Sequence, residues 1–237
     1  MNSIKWMCHS GMLVIMFIML LGCGGSSDND RMESNAGNIS RNTEAAKDEV
    51  VLFDGTDFSA WNMDRENGWV IEGEAMSLKD GGSIWTKDRF GDFVLDVEFR
   101  VSPECNSGIF FRTGDLKDPV QTGIEMQVLD SAGKEEPDKH DCGAMYDLLE
   151  PSENAMKSAG EWNNATITCD GALITVDLNG HRIIEMNVDE WDTPGSNPDG
   201  TENKFKNALS QFPREGYIGF QDHGHPVWYR NVRIRNL

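Results

Sequence analysis

The sequence predicts an all-β chain: a two-sheet antiparallel β-sandwich of jelly-roll type, with long loops and at most short helices. Three observations carry this expectation. Short runs of alternating apolar and polar residues follow one another at close spacing, as half-buried strands do. Turn residues punctuate them, with 24 Gly among 237 residues. No stretch sustains the 3.6-residue periodicity of an amphipathic helix.

The folded domain is expected over residues 49–237, opening with Glu49-Val-Val-Leu-Phe-Asp-Gly-Thr-Asp-Phe-Ser-Ala-Trp61. Trp69–Ile71 and Ala75–Leu78 flank Gly73 as a hairpin. Ser83–Thr86 is a short strand, and Phe93–Val101 alternates clearly. Gly108–Arg112 and Gly123–Leu129 follow. Asn164–Cys169 and Leu173–Leu178 flank a Cys-Asp-Gly-Ala turn, and Asn179-Gly180 is a hairpin turn leading into Arg182–Met186. Asn203–Gln211 reads as a short helix within a long loop. Tyr217–Gln221 and Val227–Ile234 read as two strands around a polar turn that holds Asp222, His223, Gly224, His225 and Pro226.

Residues 1–22 contain the apolar run Met12–Leu21, too short to span a membrane comfortably and suited to the core of a signal peptide. It closes in Leu20-Leu-Gly-Cys23, which resembles the bacterial lipoprotein signal, with Cys23 the lipidated residue. Residues 23–48 are rich in Ser, Asn, Asp and Gly and read as a flexible tether. The expectation is a bacterial envelope protein, anchored to a membrane through lipid at Cys23 and facing the periplasm or sitting at the outer membrane. A net charge of −19 argues against nucleic acid as a partner, because phosphate binding needs a basic face. Beyond Cys8 and Cys23 lie Cys105, Cys142 and Cys169. Cys169 sits in an apolar strand and is expected as a buried thiol. Cys105 and Cys142 fall in loops and are the expected disulfide pair.

Strand parity indicates where chemistry gathers. Phe110 and Arg112 share one face of their strand, Glu125 and Gln127 share one face of theirs, and Tyr217, Gly219 and Gln221 share a third. The opposite faces are wholly apolar. An ordinary solvated face would be rich in Lys, Glu and Thr, whereas one Arg, one Glu, two Gln and a Tyr suit the binding of hydroxyls in fixed directions. His223 continues the parity of Gln221. Tyr146 and Trp162 are candidate sugar-stacking rings or core residues. A divalent metal is a candidate cofactor, since Glu125 and His223 are suitable ligands, although no spacing demands one. No phosphate loop, nucleophile elbow or HExxH motif occurs.

Taken together, Leu52 to Trp61, Phe93 to Arg100, Asn106-Ser-Gly-Ile-Phe-Phe-Arg112, Glu125-Met-Gln-Val-Leu-Asp130, Gly143-Ala-Met-Tyr146, Gly160-Glu-Trp-Asn163, Asn179-Gly180, Gly219-Phe-Gln-Asp-His-Gly224 and Val227-Trp-Tyr-Arg-Asn231 resemble the 3-keto-disaccharide hydrolase family. The resemblance implies a concanavalin-like, laminarinase-like jelly roll with a sugar-binding concave sheet, and cleavage of glycosides already oxidised at C3. That chemistry needs a base for the C2 proton, a group stabilising the enolate and a proton donor for the leaving group. His223 or Glu125 is the candidate base, His223 being favoured because imidazole titrates near neutrality. Arg112 or a metal is the candidate enolate stabiliser. Gln127 and Gln221 would orient hydroxyls, with Tyr146 or Trp162 as the platform. Two alternatives stand beside this: a non-catalytic carbohydrate-binding lipoprotein, and a laminarinase-like glucanase, in which Gln127 would replace the middle carboxylate of the signature.

Overall fold

The computed structural model describes residues 49–237, so the signal peptide, Cys23 and the tether lie outside the described residues. Thirteen strands form two antiparallel sheets. The strands are β1 Glu49–Phe53, β2 Trp61–Met63, β3 Trp69–Glu72, β4 Ala75–Leu78, β5 Ile84–Thr86, β6 Phe93–Val101 and β7 Asn106–Thr113. They continue as β8 Ile124–Leu129, β9 Asn163–Asp170, β10 Leu173–Leu178, β11 His181–Asn187, β12 Tyr217–Phe220 and β13 Val227–Asn236. The large sheet has eight strands in the order β11-β10-β9-β6-β13-β4-β3, with β1 also pairing to β13. The small sheet has the order β2-β5-β12-β7-β8. The predicted strands appear at or within about two residues of the expected bounds.

Three features differ from expectation. The Asn203–Gln211 segment is loop with only a 3-10 turn at Leu209–Gln211, while a one-turn helix, α1, forms at Pro119–Thr122. β12 and β13 are not a hairpin: β12 lies in the small sheet and β13 in the large one, so the Asp222–Pro226 turn carries the chain between layers. Asp222 shapes that turn, its carboxylate accepting from Gly82 N at 2.7 Å and Gly224 N at 2.8 Å. Finally, Cys105 and Cys142 are not joined. All three described cysteines are free and buried. Cys105 and Cys142 sit in the apolar core rather than in exposed loops. Burial pushes their thiols up to about 11 and about 12, away from the thiolate that disulfide chemistry requires.

The core lies between the sheets. On β6 the odd-numbered residues Phe93 to Val101 are fully buried while the even ones face outward, the pattern of a strand covered on one side. At the centre, the Phe220 ring of β12 stacks on the Tyr229 ring of β13 with centroids 3.9 Å apart and planes 6° apart. Trp61 stacks on Phe220 at 5.0 Å, and Trp69 meets Tyr229 at 6.0 Å. Burying one such ring contributes roughly 1.5–3 kcal/mol, and a good aromatic pair adds about 1 kcal/mol.

β7 carries the irregularity that matters most for the site. Tyr217 pairs with Thr113 but Gly219 pairs with Phe110, so β7 holds one extra residue there, a bulge. Arg112 occupies it with φ +50°. The bulge turns Arg112 away from the face that strict alternation assigns to it. Its side chain is 1% exposed and donates to Gly91 O at 3.1 Å, Gly171 O at 2.8 Å and Asp92 Oδ1 at 2.7 Å. Arg112 therefore ties β7 to the start of β6 and the β9–β10 turn. Removing one partner of a buried ion pair costs about 3–5 kcal/mol. Asp92 is 42% exposed, so water takes over part of the loss. Arg112→Met is expected to lower the unfolding free energy by about 2 kcal/mol in urea titration; an unchanged midpoint would remove this structural role.

Candidate functional site

The small sheet's outer face is built by rows of paired residues. Trp85, Gly219, Phe110 and Glu125 pair in sequence across β5, β12, β7 and β8. One step along, Gln221 N donates to Gly108 O at 2.9 Å, and Gly108 pairs with Gln127. The two glycines make the floor. A Cβ on Gly108 would lie 2.0 Å from Glu125 Oε1, and a Cβ on Gly219 would lie 2.2 Å from the Trp85 ring. The Glu125 carboxyl and the Trp85 indole thus fold across backbone that only glycine leaves bare. Trp85 and Phe110 pack ring to ring at 5.7 Å and fill the middle of this face, which is less polar than parity alone suggested.

Beside them opens a cavity of about 190 Å³. Glu125, Gln127, Gln221, Tyr146 and His223, all expected from the sequence, line it together. Gln127 Nε2 donates to Asn106 Oδ1 at 3.1 Å, fixing both amides. Tyr146 arrives on the segment after Cys142, which runs along the free edge of β8: Gln127 N donates to Ala144 O, and Tyr146 N to Glu125 O, each at 2.9 Å. His223 is exposed at the rim.

Two expected residues lie elsewhere. Arg112 is withdrawn by its bulge. Trp162 lies against Arg100 and Arg230, which project from the outward faces of β6 and β13 in the large sheet, with the guanidinium carbons 4.9 and 4.0 Å from its ring centre. It precedes β9, a strand of the large sheet, and cannot reach the cavity that the small sheet floors.

In place of Arg112, the cavity holds a cation the sequence reading missed. Lys204 reaches in from the long loop, its Nζ 3.8 Å from the centre of the Tyr146 ring. Its backbone is pinned from two sides. Lys204 N donates to Asp147 Oδ2 at 2.7 Å, and Gln121 Nε2 donates to Lys204 O at 3.0 Å. Gln121 Oε1 also accepts from Lys206 N at 3.0 Å. Asn106 and Val120 complete the lining. Parity with Gly108 would have found Asn106; nothing periodic marks Lys204.

Burial sets the electrostatics. Glu125 is 6% exposed, and burial pushes its carboxyl up to about 7, with the nearby Lys204 ammonium opposing the rise. Burial lowers the Lys204 pKa, opposed by Glu125 and Asp147. Burial first, then the charges of Glu125 and Asp147, raises the Tyr146 hydroxyl. Each member of the Glu125–Lys204 pair thus favours the other's ion against desolvation. No three His, Cys, Asp or Glu side chains cluster so as to hold a metal among the described residues. The cavity offers one carboxylate and one imidazole beside an ammonium, a donor set that does not fit a resident divalent ion.

Two larger cavities lie elsewhere, of about 380 Å³ beside Leu173, Met186 and Trp191, and about 360 Å³ beside Arg89, Gln121 and Phe212. Their ionisable residues are all exposed. The smaller cavity has the buried carboxyl, the cation and the amides, and chemistry rather than size selects it.

Comparison with known proteins bears on the family and the fold. A 3-keto-disaccharide hydrolase from Bacteroides thetaiotaomicron is 28% identical over 229 residues, covering 79% of this chain and 78% of the relative. A crystal structure from Parabacteroides distasonis ATCC 8503, named provisionally as a glycosyl hydrolase, superposes with a TM-score of 0.74 at 32% identity, covering 80% of this chain and 99% of that one. A Bacillus subtilis protein with a galectin-like fold has a TM-score of 0.51 at 16% identity over 79% of this chain and 94% of its own, a likeness of fold alone. The profile of the 3-keto-alpha-glucoside-1,2-lyase-like domain matches residues 48–235, and the chain belongs to that family.

Proposed function

We propose that this protein cleaves the glycosidic bond of 3-keto-glycosides, 3-keto-disaccharides in particular, by C2 proton abstraction, elimination and water addition. The observation that carries the reading is Glu125: a single buried carboxyl, pushed up to about 7, beside Lys204 in an amide-lined cavity. Family membership and the name of the Bacteroides relative support the substrate class.

A ketone at C3 acidifies the C2 proton. Ionised Glu125 takes that proton, and the electron pair left behind moves onto the C3 oxygen, giving an enolate. Lys204, half-buried in the cavity, faces the developing negative charge, where a held cation acts more strongly than a mobile one in bulk water. The enolate then expels the glycosidic oxygen from C1, leaving a C1–C2 double bond conjugated to the ketone. His223, at the rim, donates a proton to the departing oxygen. Water adds at C1 and gives up a proton to His223, which restores the donor, while Glu125 returns its proton to C2. Gln127, Gln221 and Asn106 hold hydroxyls, and Tyr146 walls the ring. Glu125 rather than His223 is the base in this scheme because it lies on the cavity floor and burial has already brought it near working pH.

Ordinary glycosidases need two carboxyls about the scissile bond. Among the described residues, Glu125 is the one carboxyl that lines this cavity. Asp130, the remaining carboxylate of the laminarinase-like pattern, accepts from Glu104 N at 3.0 Å and does not line it. The purified protein, given a disaccharide and its 3-keto derivative, is expected to cleave only the keto form. Cleavage of the plain sugar would favour the glucanase, and binding without turnover would favour a non-catalytic module.

The pH dependence has a definite sign. Turnover requires ionised Glu125, so kcat/KM should rise through about pH 7 and fall about tenfold per unit below it. Stability runs the other way. The carboxyl titrates near 4.5 when unfolded and about 7 when folded. Its neutral form contributes fully below the lower value, and that contribution is lost as pH rises through the upper one, by roughly 3 kcal/mol in all. Glu125→Gln should therefore abolish turnover by at least about 100-fold and raise the melting temperature at pH 8; a variant that keeps turnover would remove Glu125 as the base.

We also infer an envelope location with a lipid anchor at Cys23, supported by the apolar run before it. Cys23→Ser is expected to move the protein from the membrane fraction to the soluble one. Unchanged fractionation would sink the anchor.

A further inference from the structure

We infer that the outer face of the large sheet carries a second saccharide site, separate from the cavity, that takes a sugar bearing an anionic group. Arg100 on β6 pairs across the sheet with Trp228 on β13. Its guanidinium carbon lies 4.4 Å from the Trp228 ring centre and 4.9 Å from that of Trp162. Two indoles, contributed by segments far apart in sequence, thus flank one cation.

The neighbouring polar groups are already paired. Glu98 Oε2 accepts from Arg230 Nε at 2.8 Å and lies 2.7 Å from Arg230 Nη2, and its Oε1 accepts from Asn231 at 2.7 Å. Trp228 Nε1 donates to Glu72 at 3.3 Å. Arg100 has no such partner. Among the described residues no carboxylate forms an ion pair with it, and no oxygen accepts from it. Its Nε is buried with no hydrogen-bond partner among the described residues. A chain of net charge −19 that leaves this guanidinium unpaired, fixed between aromatic rings, keeps a donor fork in reserve.

The chemistry of the fork names the ligand class. With its Nε buried, Arg100 can offer a ligand only its two terminal amino groups, and their paired N–H bonds match the paired oxygens of a carboxylate or sulfate. The half-buried indoles beside it offer apolar surface to the C–H face of a sugar ring. The anionic group can come from a uronic acid or from a sulfate ester, and the two share this recognition.

The test measures binding, so its outcome is independent of turnover in the cavity. An acidic oligouronide, a sulfated oligosaccharide and a neutral oligosaccharide of equal length are titrated into the protein by calorimetry. At least one anionic ligand is expected to bind tenfold or more tighter than the neutral one, and to weaken as salt is raised. Arg100→Leu, which keeps apolar bulk between the rings, should erase that preference while turnover of a 3-keto substrate stays unchanged. Arg100→Lys, which keeps the charge but not the fork, should lose most of it and serves if the leucine variant does not fold. Equal binding of acidic and neutral ligands would overturn the proposal. So would loss of anion binding in Lys204→Met with retention in Arg100→Leu, because the cavity would then be the binder.

Discussion

The face-to-face stack of Phe220 on Tyr229 is the contact on which the rest depends. It joins the two sheets at 3.9 Å, where the strands before and after the Asp222–Pro226 turn leave one layer for the other. Ser107 completes the joint: its hydroxyl lies 2.9 Å from Tyr229 Oη and donates to Gln221 O at 2.7 Å. The buried tyrosine hydroxyl is thereby satisfied, avoiding a penalty of about 1–3 kcal/mol. The same bond fixes the backbone of Gln221 just before the chain delivers His223 to the cavity rim. Packing inside the sandwich thus sets side-chain positions on its outer surface.

On that surface, burial and charge work against each other. A carboxyl that is 6% exposed would ordinarily be neutral at pH 7. Lys204 restrains the shift and leaves Glu125 poised at about 7 rather than higher. Neither ion has a direct bond to the other, which leaves both free for a ligand. The glycine floor is the geometric counterpart. Gly108 gives up side-chain packing in a strand interior, at about 0.5–1 kcal/mol, so that the Glu125 carboxyl can lie against bare backbone.

The fold was readable because burial on one face forces period-two alternation, and most strands of this domain obey it. The cavity was readable in part for the same reason. Glu125, Gln127 and Gln221 share parity on neighbouring strands, and pairing brings them together. Arg112 was misread because one extra residue in β7 reverses every inference from alternation beyond it. Trp162 was misread because an aromatic ring before a strand carries no mark of which sheet it will join. Lys204 was missed because its position depends on two tertiary hydrogen bonds, from Asp147 and Gln121, that leave no periodic trace. The two strands around the Asp222–Pro226 turn were legible, but their entry into different sheets was not, because local sequence fixes the turn and not the layer each strand enters.

Those two hydrogen bonds on Lys204 also bear on the order in which the molecule assembles. Both anchors precede Lys204 in the sequence, Asp147 by 57 residues and Gln121 by 83. Glu125 and Lys204 therefore meet only after the edge segment beside β8 and the long loop have both docked. Closing such distant contacts is entropically costly. A partly folded chain can hold a complete sandwich core and still lack its cation. Without those two bonds the Glu125 carboxyl would lack the cation that opposes the rise burial imposes on it.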